Sequence, residues 1–272
     1  MTLRVLFISS LLITSGTLTG CATRIIAHRG ASADAPENTL AAFRLGYAQQ
    51  ADADELDIHL SADGRIVVLH DHDTARTAGV ARPVVAQTLE ELRALEVGQW
   101  GRWQGSAFAE KIPLLSEVLP IVPAGRRLFI EIKVGPEILP ELERVLRASG
   151  VPAKQVTIIT FNLEVARATK HRLPAHEVCW LHAHERDQAT GRFPDIDDLI
   201  RRAKDAGLDG LDLHLNFPID AAFVAKVHAA GLKLYTWTVD DAAVARAQQA
   251  AGVDGITTNR PAWLREQLAF SP

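Results

Sequence analysis

Three acidic side chains, Glu55, Asp57 and Glu131, sit in two short apolar runs, "DELDIHL" and "RLFIEIK". In the first run Glu55, Asp57 and His59 alternate with Leu56, Ile58 and Leu60; in the second, Glu131 and Lys133 alternate with Ile130 and Ile132. Strict alternation is the mark of a strand, whose successive side chains point to opposite faces. Carboxylates brought together at one strand end repel each other, so a cation is their natural partner. Hard oxygen ligands favour Mg2+ or Ca2+ over zinc. The competing reading, in which each acid pairs with a neighbouring Arg or Lys, serves for any one of them and less well for both strands together.

Two histidines belong to the same picture. His28 and Arg29 end the first apolar run, "RIIAHR", and His70 closes "SADGRIVVLHD". Asp63-Gly64 between alternating residues predicts a two-residue hairpin turn. Counting outward from that turn places Asp57 opposite His70. Two imidazoles converging on a carboxylate cluster, with Arg29 and Lys133 as cations, suit phosphoryl chemistry. One histidine takes a proton from the attacking oxygen and the other protonates the departing one, while cations stabilise charge on the phosphoryl oxygens.

Something must hold these groups together, and the chain supplies a repeating rhythm. Eight apolar runs, "RIIAHR", "DELDIHL", "RLFIEIK", "VTIITF", "EVCWLH", "GLDLHL", "LKLYTWTV" and "DGITTN", alternate with amphipathic helical patterns, several of them closed by Gly. This order predicts a (β/α)8 barrel, whose active sites gather at the C-terminal ends of its strands. A doubly wound open sheet is the alternative, weakened because no Gly-rich phosphate loop follows the first strand. Residues 61–111 break the rhythm and read as an insertion after the second strand.

The 272 residues are 47% hydrophobic and 23% charged, enough for one substantial core. A formal net charge of −4 with no Lys/Arg block argues against a nucleic-acid partner. Residues 1–20 carry Arg4 and then an apolar run from Val5 to Ile13, too short to span a bilayer, and read as an export signal. Leu18-Thr19-Gly20-Cys21 resembles a bacterial lipobox. That resemblance implies an exported, periplasmic, membrane-anchored lipoprotein whose mature domain, 21–272, is acylated at Cys21. An ordinary secretory signal and a start codon placed too early are the competing readings. Cys179 is then the one free thiol, and its apolar setting reads as structural.

The motifs "HRG", "PENTLAAF", "ELDIHLSADGRIVVLHD", "EIK", "WTV" and "GVDGITTNRP", in this order, resemble the glycerophosphodiester phosphodiesterase family from about residue 24 to the end. The resemblance implies a barrel with an insertion after the second strand. It also implies metal-dependent hydrolysis of glycerophosphodiesters to glycerol 3-phosphate and an alcohol. Position by position, His28 and His70 become the acid/base pair, and Glu55, Asp57 and Glu131 the metal ligands. Arg29 and Lys133 become the phosphate contacts and Trp237 an aromatic of the substrate pocket. Phe161-Asn162, at the end of the fourth run, is expected to line that pocket. Glu37 lies near the site, and Asn38 is a good helix N-cap. Departures from the family pattern are Asp240 after "WTV", His59 within "DIHL", and the lack of a Gly in "QQADADELD". None falls on a proposed ligand.

Two other functions compete: a lysophospholipase D or sphingomyelinase D activity, which needs an apolar groove for an acyl chain, and a catalytically silent phosphodiester-binding lipoprotein. The acid/base pair argues against the silent binder. "LHAHERD" offers His182, His184 and Glu185, which suit a polar pocket wall better than a transition-metal site; His214 is read in the same way.

Overall fold

All eight apolar runs become parallel strands of one closed barrel. The computed structural model describes residues 23–186 and 191–269, so Cys21 and the segment 1–20 expected to be an export signal lie outside the described residues. In chain order the strands are β1 (Arg24–Ala27), β2 (Ala53–Leu60), β3 (Ile66–Val68), β4 (Asp73–Thr74), β5 (Val80–Pro83), β6 (Arg127–Ile132), β7 (Val156–Thr160), β8 (Glu177–His182), β9 (Gly210–His214), β10 (Lys233–Trp237) and β11 (Gly255–Thr258). The barrel runs β1-β11-β10-β9-β8-β7-β6-β2 and closes through β1 against β2, where Ile26 faces Ala53 and Ala27 faces Asp54. No described helix is long and apolar enough to cross a membrane.

Alternation along these strands sorts residues into two cores. Leu56, Ile58, Ile130, Ile158, Leu211 and Leu234 point outward and pack against the surrounding helices. Ile26, Ala53, Phe129, Ile159, Cys179, Leu181 and Tyr235 point inward and fill the lumen. Below them an ionic layer closes the N-terminal end, where the Glu177 carboxylate meets Arg127, Lys233 and the Tyr235 hydroxyl. Two residues further along several strands, on the same inward face, stand His28, Glu55, Glu131, Phe161 and Trp237. The inner core is therefore the floor of the site. Cys179 is fully buried there, and burial pushes its thiol well up, which makes it inert as a nucleophile.

Asp54 is the exception on the outward face of β2. It is buried against helix Leu40–Ala48, close enough that a Cβ on Gly46 would meet its Oδ1 at 2.1 Å, and neither carboxylate oxygen has a partner. Burial raises its pKa well above the usual range. A carboxyl whose pKa is raised by folding binds its proton more tightly in the native state. Its contribution to stability is therefore complete below the unfolded pKa and is lost as pH rises toward the folded one. Asp54→Asn is expected to stabilise the protein at pH 8 by on the order of 1 kcal/mol or more. The gain should shrink toward pH 4, as read from urea midpoints at both pH values.

The insertion begins as the predicted hairpin, with its register moved by one residue. Ile58 pairs with Val68 and Leu60 with Ile66, and the Leu69 amide donates to the Asp57 carbonyl at 3.1 Å. Asp57 is thus opposite Leu69, and the expected Asp57–His70 pairing is corrected. The cause is the turn. A two-residue turn of the favoured type needs both central residues left-handed, but only Gly64 is, at φ 73°. The Asp63 carboxylate instead accepts from Ser61 Oγ and the Leu89 amide, and Ser61 pairs with Arg65 around a three-residue loop. On the hairpin's far face Val67 and Leu69 pack with Val84, Leu92, Val97 and Ile112 in a small core of their own.

Candidate active site

Each functional side chain is placed by a local feature of its strand end. After β1 the chain turns sharply: Arg29 has φ 55° and Gly30 φ 77°. A Cβ on Gly30 would lie 2.5 Å from the Ala42 carbonyl carbon, so only glycine lets the turn pack on helix Leu40–Ala48. The turn aims the Arg29 amide at Glu55 Oε2, 2.9 Å away, and its guanidinium at Glu37, 2.8 Å, and Asp57, 3.5 Å.

Glu55, Asp57 and Glu131 converge. Asp57 on β2 is register partner to Glu131 on β6, and one oxygen from each of the three carboxylates lies within 4.8 Å of the others. Glu55 is 3% and Asp57 1% exposed. Lys133 Nζ reaches Glu131 at 2.7 Å and Asp57 at 3.4 Å. Burial would raise Asp57, but Lys133 and Arg29 outweigh it and hold the carboxyl below the ordinary range. Glu131 is pushed up to about 7 by burial and then by the charge of Asp57, and Glu55 is pushed well up by burial, Asp57 and Glu131. Only with all three carboxyls ionised do the acids exceed the charge of Arg29 and Lys133, by one, and each then offers oxygen ligands. The donor set fits a hard divalent cation. Among the described residues no second group of three such ligands occurs. His184 instead stacks on Phe193 at 4.5 Å, His182, which lines a second cavity, lies edge-on to Trp180, and His214 lies edge-on to Trp237.

The two histidines are held differently. His28 Nδ1 lies 2.8 Å from Asn259 Oδ1. The orientation of that amide follows from its partners: Asn259 Nδ2 donates to Asp240 Oδ2 at 2.5 Å, and Asp240 Oδ1 accepts from the Thr258 hydroxyl and the Asn259 amide. A carboxylate only accepts, so Asn259 turns its oxygen to His28. His28 Nδ1 must then carry the proton, which leaves Nε2 with its lone pair. Burial and then Arg29 lower the His28 pKa to about 4, so the ring is neutral near pH 7. His70 Nδ1 instead meets the Asp71 carboxylate at 2.8 Å. Asp71 is held well below the usual carboxylate range, chiefly by its hydrogen bond from Arg76. The His70 carbonyl accepts from His59 Nε2 at 3.2 Å, which holds this loop to β2 and brings His70 to the cavity despite the shifted hairpin register.

These groups line one cavity of about 300 Å³, walled by His28, Arg29, Glu55, His70, Glu131 and Lys133 on one side and by Phe161, Leu181, Asp212 and Trp237 on the other. Phe161 and Trp237 meet edge-to-face at 5.5 Å. Asn162 does not line it; its side chain caps helix Leu163–Arg172. Asn38 is also not the N-cap expected of it. Thr39 caps helix Leu40–Ala48, and Asn38, at φ 57°, donates to Asp57 Oδ2 at 2.8 Å. Glu37 joins Arg29 to Arg76, whose other arm holds Asp71. One ionic chain thus ties the segments that carry the two histidines.

A family model described as the glycerophosphoryl diester phosphodiesterase family matches residues 28–263. The chain belongs to that family. A glycerophosphodiester phosphodiesterase of Caldanaerobacter subterraneus is 34% identical over 247 residues, 88% of this chain and 95% of its own. One from Bacillus subtilis is 28% identical over 254 residues, 87% of this chain and 83% of its own. The solved structure of an Oleispira antarctica phosphodiesterase in complex with the product sn-glycerol-3-phosphate superposes with a TM-score of 0.80 at 26% identity, over 91% of this chain and 97% of that one. This member of the family is accordingly a glycerophosphodiester phosphodiesterase built on a TIM barrel.

Proposed function

We propose that the chain hydrolyses glycerophosphodiesters to glycerol 3-phosphate and an alcohol, with Mg2+ or Ca2+ held by Glu55, Asp57 and Glu131. The observation that carries this reading is the cavity that sets these buried carboxylates beside a neutral His28, an Asp71-paired His70 and the cations Arg29 and Lys133. When bound, the cation supplies positive charge at the phosphoryl oxygens. Arg29 and Lys133 orient the same phosphate from either side. His28 Nε2 takes the proton of the attacking oxygen; the arriving anionic phosphate raises the basicity of the ring. His70, oriented by the contact of its Nδ1 with the Asp71 carboxylate, gives a proton to the departing alcohol. Phe161 and Trp237 wall the substrate in.

Small diesters are favoured over lysophospholipids. A neighbouring cavity of about 650 Å³ shares Phe161 and Leu181, but its wall mixes Trp180 and Phe193 with Glu185, Arg186, Asp198 and Arg202, a poor lining for an acyl chain. Purified protein with Mg2+ or Ca2+ should release glycerol 3-phosphate from glycerophosphocholine and glycerophosphoethanolamine much faster than it cleaves lysophosphatidylcholine. The reverse order would select the lysophospholipase D reading, and binding without turnover the silent one.

Localisation belongs to the same proposal: export and acylation at Cys21 would hold the barrel at a bacterial membrane surface in the periplasm, near diesters released by phospholipid turnover. The lipobox-like "LTGC" supports it. In a bacterial host the wild type should partition with membranes and Cys21→Ser should change its processing or partition. An unmodified N-terminus in native membranes, seen by mass spectrometry, would exclude the anchor.

A further inference from the structure

The catalytic cavity has two chemically different halves. The half formed by β1, β2, β6 and the His70 loop carries all the cations, the histidines and the clustered acids. Across the barrel, Phe161 after β7, Leu181 on β8 and Trp237 on β10 are apolar or aromatic, and Asp212 on β9 stands among them. Asp212 is 1% exposed, and its Oδ1 is buried with no hydrogen-bond partner. It lies outside the trio able to share a cation. The indole Nε1–H of Trp237 donates to its main-chain carbonyl at 3.2 Å, so the ring is fixed beside it and leaves the carboxyl itself uncommitted.

A buried polar atom without a partner costs free energy, and in a ligand cavity it marks where a ligand's polar atom completes the bond. The two arms of the proposed substrate differ in this respect. The phosphate must lie in the charged half, so one arm crosses to the aromatic half and meets Asp212. A glyceryl arm ends in hydroxyls, each both donor and acceptor, which satisfy a carboxyl in either protonation state. Resting on the phosphodiesterase reading above, we propose that Asp212 binds the glycerol hydroxyls and selects a glyceryl arm over an unhydroxylated one.

Two esters that differ only in those hydroxyls test this: glyceryl p-nitrophenyl phosphate and propyl p-nitrophenyl phosphate, assayed with Mg2+ or Ca2+ present. Sites built to hydrogen-bond a hydroxyl reject the analogue lacking it strongly, so wild type should prefer the glyceryl ester in kcat/KM by on the order of 10² or more. Asp212→Leu should cut that preference below about tenfold, through loss on the glyceryl ester alone. Asp212→Asn, which can still bond a hydroxyl, should keep most of it. Calorimetric binding of sn-glycerol 3-phosphate against propyl phosphate gives a second readout if Asp212→Leu turns over neither ester, and Asp212→Ala replaces it should the leucine variant not fold. An equal loss on both esters, or an unchanged preference, overturns the proposal, as does a wild type that shows no preference. A wild type that cleaves neither ester overturns the phosphodiesterase reading, and this one with it.

Discussion

His28→Ala is expected to lower kcat on glycerophosphodiesters by about 10²- to 10⁴-fold, with the fold and cation affinity retained. The Asp240–Asn259–His28 chain fixes the tautomer with Nε2 unprotonated, and burial with Arg29 keeps the ring neutral. His70→Ala is expected to cost a similar factor on natural diesters, whose alkoxide leaving groups need a proton. The two variants separate on a p-nitrophenyl diester, whose leaving group departs with little protonation. Such a substrate should restore His70→Ala toward wild-type rates and leave His28→Ala slow. Rescue of His28→Ala instead would exchange the two roles, and near-normal turnover by both variants on natural diesters would return the histidines to structural duty.

Glu55→Gln, Asp57→Asn and Glu131→Gln should each abolish most turnover and weaken cation binding, because each removes a charged oxygen from a cluster of three. Proton and cation compete there. Burial and Asp57 push Glu131 up to about 7, and Glu55 is raised as well, so below neutrality a bound proton must leave before the cation is held. Affinity for Mg2+ or Ca2+ should therefore fall as pH drops from 8 to 6, by up to about tenfold per pH unit for each proton displaced. The titration belongs to the coupled carboxylates as a set. A calorimetric series over that range checks the sign; affinity that rises on acidification would exclude these acids as the ligands.

The barrel was legible because eight strands carry strong apolar runs, and parity within "DELDIHL" and "RLFIEIK" was enough to send Glu55, Asp57 and Glu131 inward together. The same parity in "GLDLHL" turns Asp212 inward as well. Contacts between distant segments were harder. Nothing local says that Asn259 turns its oxygen to His28, or that Arg76 bridges Asp71 and Glu37, because those geometries depend on how the strand-end loops close over the mouth. Asn38 looked like a helix cap on residue type alone, and Thr39 took that role because the left-handed turn at Asn38 aims its amide at Asp57. The hairpin register failed by one residue for a similar reason: Asp63 spends its carboxylate on Ser61 and Leu89.

The cation requirement is tested most directly by stripping the purified protein with EDTA, dialysing it, and following glycerophosphocholine by 31P NMR as Mg2+ or Ca2+ is added back. Turnover absent in the stripped protein and restored in proportion to occupancy of one site, with sn-glycerol 3-phosphate as the phosphorus product, is the predicted result. Full turnover in the stripped protein, or restoration that survives Glu55→Gln, Asp57→Asn and Glu131→Gln alike, would contradict it.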